Sequence, residues 1–265
     1  SFCGIVGLRP SIGRVAHTLA AAVDRNLGVQ GPMARNVEDV ALLLDAMSGE
    51  HPGDPLSLPV LPNSFLSAVR AGGKPKRIAY SPDLGITPVD PEVVAITRKA
   101  AMAFADAGVI VEEAHPDLRE AHECFHVLRA YDFAISKLHL LRDKRDQLKP
   151  EVIWNIEQGL KLTVDDLAKA EAQRVALAAR AYEFFQTYDL LVTHSAPTGA
   201  FDVNLRAPAT INGKKLDNYM GGSTLNSAIT VTGSPAIAVP CGFDQYGRPV
   251  GLQLVGKPRG EAALL

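Results

Sequence analysis

Apolar positions recur at helical spacing over residues 37–47, where Val37, Val40, Leu44 and Met47 share one face. Asn36 stands where an N-cap belongs, Glu38 and Asp39 fall in the first turn, and Gly49 follows the last. After the turn-rich EHPGDP at 50–55, the pattern shortens to one apolar run, RIAYS at 77–81. It returns to a helical period in DPEVVAITRKAAMAFADAG at 90–108, with Asp90 placed to cap, Pro91 at the first position and Gly108 at the end. A second short run, VIVEEA at 109–114, follows. Strand, helix and strand in so short a span predict a parallel crossover unit whose helix covers one face of a sheet.

Residues 117–188 read as helical almost throughout, broken near Pro150 and restarted at Thr163 with Asp165 and Asp166 behind it, which makes room for two or three helices. Short apolar strands return at DLLVT (189–193), AIAVP (236–240) and VGLQLV (250–255). The last two flank CGFDQYGRP, where Gly247 and Pro249 suit a hairpin. Residues 198–215, with Gly199, Pro208 and Gly213, form a long excursion of the kind that shapes a pocket. GEAALL at 260–265 reads as the first turns of another helix. Strands at both ends with helices between them predict an α/β fold, a single domain over 1–265 with one sheet assembled from distant segments; no linker or repeat marks a boundary.

Composition narrows the class. The 265 residues are 47% hydrophobic and 21% charged, enough to bury a substantial core. A net charge of −2, with Arg142, Lys144 and Arg145 interleaved with Asp143 and Asp146, gives no footprint for nucleic acid or an anionic membrane surface. Cys3, Cys124 and Cys241 are odd in number and far apart, so neither a disulfide framework nor a paired metal motif is expected, and a cytoplasmic setting suits them. No apolar stretch reaches the roughly 18 residues of a membrane span, and no secretory leader is visible.

Candidate chemistry enters at HECFH. His122 and His126 stand at i and i+4 with Glu123 between them, the spacing of a zinc hydrolase helix whose glutamate acts as base. Such a site needs a third ligand; Glu151 or Glu157 could supply one only if the next helix folds back, and the plainer reading is a half-exposed helix face. Ser1 could act as a terminal nucleophile with its own α-amine as base, yet SFCGIVGL has only a brief apolar run broken by Gly4 and Gly7. Cys3 and Cys241 read as buried small hydrophobes. His194, in VTHSAPTG, falls just past a strand end, where it either serves a pocket or packs and caps.

Four segments in order resemble the amidase signature family of serine amidohydrolases: CGIVGLRPSIGRV (3–15), GPMARNVEDVALLLDAMSG (31–49), YDLLVTHSAPTGA (188–200) and GSPAIAVPCGFDQYGRPVGLQLVG (233–256). The positions that match the family's structural pattern are Cys3, Gly4, Gly7, Gly31, Pro32, Arg35, Gly233, Pro235 and Pro240. The resemblance implies a mixed central β-sheet surrounded by helices, no cofactor or metal, and cleavage of a carboxamide to an acid and ammonia or an amine through an acyl-serine. It implies a nucleophilic serine, a second serine with a cis peptide and a lysine base.

None of these catalytic groups falls within the chain. The nucleophile's motif ends immediately before Ser1, which places that serine about six residues upstream; Lys74 and Lys137 do not match the lysine's motif. The chain is therefore expected to be incomplete at its N-terminus and at its C-terminus, and inactive alone. Asn226 and Thr230 occupy places where the family carries a threonine and an asparagine, and would line the acyl pocket. Ser223 stands where the large tRNA-dependent amidotransferase subunits of the family carry an acidic residue, which favours a stand-alone amidase over an amidotransferase-like or non-catalytic module. The partners expected are a small-molecule amide and the preceding segment of the same protein, with a homodimer left open.

Overall fold

A computed structural model describes residues 2–17 and 27–265; Ser1 lies outside them. Strands β1 (Val6–Arg9) and β2 (Met33–Ala34) come first, followed by helices α1 (Val37–Met47) and α2 (Phe65–Ala71). The crossover unit is β3 (Arg77–Tyr80), α3 (Pro91–Asp106) and β4 (Ile110–Glu113). Helices α4 (Ala121–Asp143), α5 (Pro150–Gly159) and α6 (Val164–Thr187) form a helical flank, and β5 (Leu190–His194) re-enters the sheet. Then come a small hairpin of β6 (Thr210–Ile211) and β7 (Lys214–Lys215), α7 (Thr224–Thr232), β8 (Ala236–Phe243), β9 (Pro249–Val255) and the closing turn α8 (Glu261–Leu264).

The main sheet has seven strands in the order β2-β1-β8-β9-β5-β3-β4, parallel between β5, β3 and β4 and antiparallel elsewhere. Side chains alternate across it. Leu191, Ala236 and Val255 face a core shared with Ala121, Cys124 and Leu128 of α4, Leu177 of α6 and Leu225 and Ala228 of α7. Leu190, Val192, Ile237 and Leu254 face the opposite core, with Val40 and Leu44 of α1, Phe65 of α2 and Ala101 of α3. The expected mixed sheet with helices on both faces is what these residues build.

Local chemistry explains the helix starts. Asn36 accepts from the Asp39 N–H at 2.8 Å, and Thr163 closes a reciprocal capping box with Asp166. Asp90 does not cap α3 as expected: its Oδ1 accepts from the Asn212 N–H at 3.2 Å, so it anchors the 198–215 excursion instead, and that excursion carries the β6–β7 hairpin. Cys3 is exposed and Cys241 half-buried, against the expectation of two buried cysteines, because Cys3 precedes β1 and lies outside both cores. The hairpin turn is as foreseen, with Gly247 at φ +74° and Asp244 accepting from the N–H groups of Tyr246 and Arg248 at 2.9 Å.

One polar contact ties the two ends of the described chain together. Glu261, fully buried, accepts from the Ser11 N–H at 2.6 Å and lies 3.5 Å from Arg14 Nε, whose side chain is 3% exposed. Arg14 also donates to the Pro59 carbonyl at 3.2 Å and its guanidinium lies 5.6 Å from the Phe65 ring centre.

Candidate active-site wall

Helix α7 is buried on nearly every side, yet Asn226 is exposed and Thr230 half-buried. With Ser223, one turn earlier, they recur at i, i+3 and i+7 and form a polar stripe on an otherwise apolar helix. The stripe is held by local bonds. Asn226 Nδ2 donates to the Ser195 carbonyl at 3.2 Å, Thr230 Oγ1 to the Asn226 carbonyl at 2.9 Å, and Ser223 Oγ to the Met220 carbonyl at 2.9 Å. Asn218 starts the preceding 3-10 turn, Tyr219–Ser223, by accepting from the Met220 N–H at 2.9 Å, and Gly233 ends α7 in a left-handed conformation, φ +74°.

The Asn226 contact docks α7 over the end of β5. There Thr193 pairs with Gln253, Gln253 with Ala238, and Ala238 with Gly7, so one row crosses four strands on the face that carries α4, α6 and α7. Thr193 Oγ1, Ser195 Oγ, Ser234 Oγ and Gln253 Nε2 are buried along this region without a hydrogen-bond partner. Gly7 leaves the β1 end of the row bare, and Arg9, two residues on, donates to the Leu27 carbonyl at 3.1 Å, with burial pulling its pKa down to about 10. A helix stripe of amide and hydroxyl groups above a row of buried polar side chains can bind and orient a polar substrate group. It offers no nucleophile with an adjacent base.

The remaining motif-matching positions lie around β1, β2 and the β8–β9 hairpin. Gly31 lies so close to β1 that a Cβ would stand 1.9 Å from the Leu8 carbonyl oxygen, and the Pro32 carbonyl accepts from the Leu8 N–H at 3.0 Å. Gly4 (φ +62°) meets the Pro249 ring, Pro235 is buried with its carbonyl accepting from Gly256 at 3.0 Å, and Arg35 is exposed. Pro240 sits past the last β1 pairing, at the irregularity between Pro240 and Gly242, where its missing N–H costs no ladder bond.

His194 is the last residue of β5, fully buried, and not past its end. Its Nδ1 lies 2.6 Å from Thr97 Oγ1 and its Nε2 meets the Pro82 carbonyl; burial lowers its pKa and the ring is locked as a packing element. A cleft of about 390 Å³, lined by Ser81, Pro82, Asp83, Glu113, Ala114 and His115, opens farther along the same carboxyl edge of the parallel strands, away from α7.

HECFH splits across two faces of α4. The His122 and His126 rings lie 4.0 Å apart, while Glu123 faces α6, bonded to Lys169 at 2.5 Å and Gln173 at 2.8 Å. Neither Glu151, bonded to Arg206, nor Glu157, bonded to Arg145, joins the histidines, and no group of three metal-ligating side chains forms among the described residues.

The family model described as Amidase matches residues 1–265. An acylamidase of Rhodococcus erythropolis is 33% identical over the whole chain, and a glutamyl-tRNA(Gln) amidotransferase component of Moorella thermoacetica is 32% identical. The chain spans 56% and 58% of those relatives' lengths. The crystal structure of a bacterial aryl acylamidase of the amidase signature family superposes with a TM-score of 0.86 at 24% identity, over 99% of this chain and 56% of that one.

Proposed function

The chain belongs to the amidase family across residues 1–265, and from that premise we propose that it forms the substrate-side part of an amidase that cleaves a carboxamide through an acyl-serine intermediate. The family match over the whole chain carries this reading. The nucleophilic serine, the second serine and the lysine base come from the preceding segment of the same protein, and Ser223, Asn226 and Thr230 contribute the wall against which the acyl group is held. A hydroxyl and amide stripe suits this task, since it can hydrogen-bond a polar substrate without competing for the acyl centre. One observation favours a stand-alone amidase over an amidotransferase component: position 223 carries serine.

Among the described residues no helix is long and apolar enough to cross a membrane. A cytoplasmic setting, with free thiols at Cys3, Cys124 and Cys241, belongs to the same proposal, as does an assembly whose partners are the amide, the preceding segment and a second copy of the protein.

The test is expression of the whole reading frame, assayed on anilides and aliphatic amides with hydroxylamine as a competing acceptor. Release of acid and amine, with hydroxamate formed in competition, is expected. The 265 residues alone should turn over none of these amides. A whole protein inert toward the entire panel would sink the proposal.

A further inference from the structure

A single phenol holds the turn that leads into α7. Tyr219 Oη accepts from Asn155 Nδ2 at 2.6 Å and lies 3.5 Å from Arg129 Nη2, and its ring meets Trp154 edge-on with centres 6.2 Å apart. Asn155 is 1% exposed; its Nδ2 also donates to the Glu151 carbonyl at 2.7 Å, which leaves its Oδ1 buried without a donor. Tyr219 opens the 3-10 turn that runs into Ser223 and α7, so the phenol anchors the segment from which the stripe of Ser223, Asn226 and Thr230 starts.

On α4, His122, His126, Arg129 and Phe133 recur at the same intervals and border this turn. The Arg129 guanidinium lies 4.6 Å from the Phe133 ring centre and 5.9 Å from that of Phe125. It forms no ion pair among the described residues, and its Nε, like His126 Nε2, is buried without a hydrogen-bond partner. No carboxylate is bonded to Arg129 among the described residues: Glu151 is bonded to Arg206 at 2.5 Å, Asp132 has interactions of its own, and Asp217 is exposed and bears on His122. Burial lowers His122 and holds His126 down to about 4, so neither adds positive charge at neutral pH; Lys137 places a second cation 5.0 Å from the Phe133 ring centre.

A guanidinium half out of water ordinarily finds a carboxylate, and its planar fork is matched to one. We infer that Arg129 is a specificity-determining residue that pairs with a carboxylate on the substrate, so that the preferred amides carry a free acid group away from the scissile bond, as half-amides of dicarboxylic acids do. The inference rests on the amidase reading. Stacking on Phe125 and Phe133 and the Tyr219 hydroxyl hold the fork in place, and the aromatic walls reduce the water that would screen the pair.

The experiment compares glutaric acid monoanilide with the neutral valeranilide, using the whole protein. Wild type should favour the acid by kcat/KM. In Arg129→Met the ratio of the two should fall on the order of 10- to 100-fold, chiefly through KM of the acid, and Arg129→Lys should restore part of it. Equal losses on both anilides, with the ratio kept, would overturn the inference and assign Arg129 to packing. Should the methionine variant not fold, glutarate is tested as a competitive inhibitor of valeranilide hydrolysis by wild type; inhibition supports the inference and its absence overturns it. Hydrolysis of valeranilide without preference for the acid defeats this inference alone, whereas inertness toward both anilides defeats the amidase reading with it.

Discussion

The two sides of this molecule bury their polar groups in opposite ways. Between the turn after β1 and α8 the buried charge is dry and paired: Glu261 is fully buried against Arg14 and Ser11, and Ser11 Oγ accepts from the Arg259 N–H at 2.7 Å, although Arg14 Nε and Glu261 Oε2 face each other at 3.5 Å without a hydrogen bond. Along the α4–α5–α6 flank the ion pairs lie in water, Lys169–Glu123 and Arg145–Glu157 among them, while His126, Arg129 and Asn155 keep buried atoms without partners. Both sides use close backbone approach; a Cβ on Gly159 would stand 2.1 Å from the Ala130 carbonyl oxygen, much as one on Gly31 would strike Leu8. What differs is the fate of charge. A side whose buried charge is paired is a scaffold, and a side whose half-buried guanidinium lacks a carboxylate is one that can select a ligand.

The sharpest way to break this contrast is to remove the buried charge on the scaffold side. Glu261→Ala leaves Arg14 uncompensated at 3% exposure and the Ser11 N–H without its acceptor, and should cost on the order of 3–5 kcal/mol in urea unfolding of the whole protein. Glu261→Gln, whose amide oxygen can still accept from Ser11, should cost less. A loss below about 1 kcal/mol for the alanine variant would mean that water reaches the pair and that the scaffold side is no drier than the flank.

A smaller effect is expected on the flank, and it depends on pH. Burial, aided by the charges of His122 and Arg129, lowers His126 from the ordinary 6.5 to about 4. The unfolded chain therefore takes up a proton at this ring before the folded one does, so stability is complete above 6.5 and falls as pH drops from 6.5 toward 4. The loss should be on the order of 1–2 kcal/mol, reduced from the full shift because the ring is only partly buried. His126→Gln should flatten that part of the urea-midpoint profile between pH 7 and 4.5. Carboxyls held low, such as Glu123 through Lys169 and Gln173, lose their contribution only below this window. Identical profiles for wild type and variant would remove His126 from the account.

The scaffold was the more legible half. The cap at Asn36, the crossover at 77–114 and the closing hairpin follow from local chemistry, and local chemistry decides them, as it does the Thr163 cap on the flank. β1 was hidden because Gly4 and Gly7 dilute its apolar run, although β8 pairs with it directly. α7 was hidden for a different reason: TLNSAITVT is rich in β-branched and hydroxyl residues, and burial on nearly all sides erases the helical period that would mark it. Asn226 and Thr230 were proposed from family resemblance alone, and their shared face became visible only once α7 was seen to be a helix. Tyr219 meets Asn155 and Arg129 across 64 and 90 residues, a juxtaposition that no local pattern encodes.

The least effect is expected where the HECFH motif first drew attention. Glu123 and Lys169 are bonded at 2.5 Å, yet their side chains are 51% and 62% exposed. In water the attraction between such groups is offset by the order imposed on two long side chains, and salt screens what is left. Lys169→Ala should therefore shift the urea midpoint by no more than its error, and any shift should vanish as ionic strength is raised. The folding role of this stretch rests instead with Cys124 and Leu128, which face the core between α4, α6 and α7. A salt-resistant loss of stability in Lys169→Ala would show that the flank is held by charge after all, and would erase the distinction between a scaffold that pairs its charge in the dry interior and a flank that pairs its charge in water.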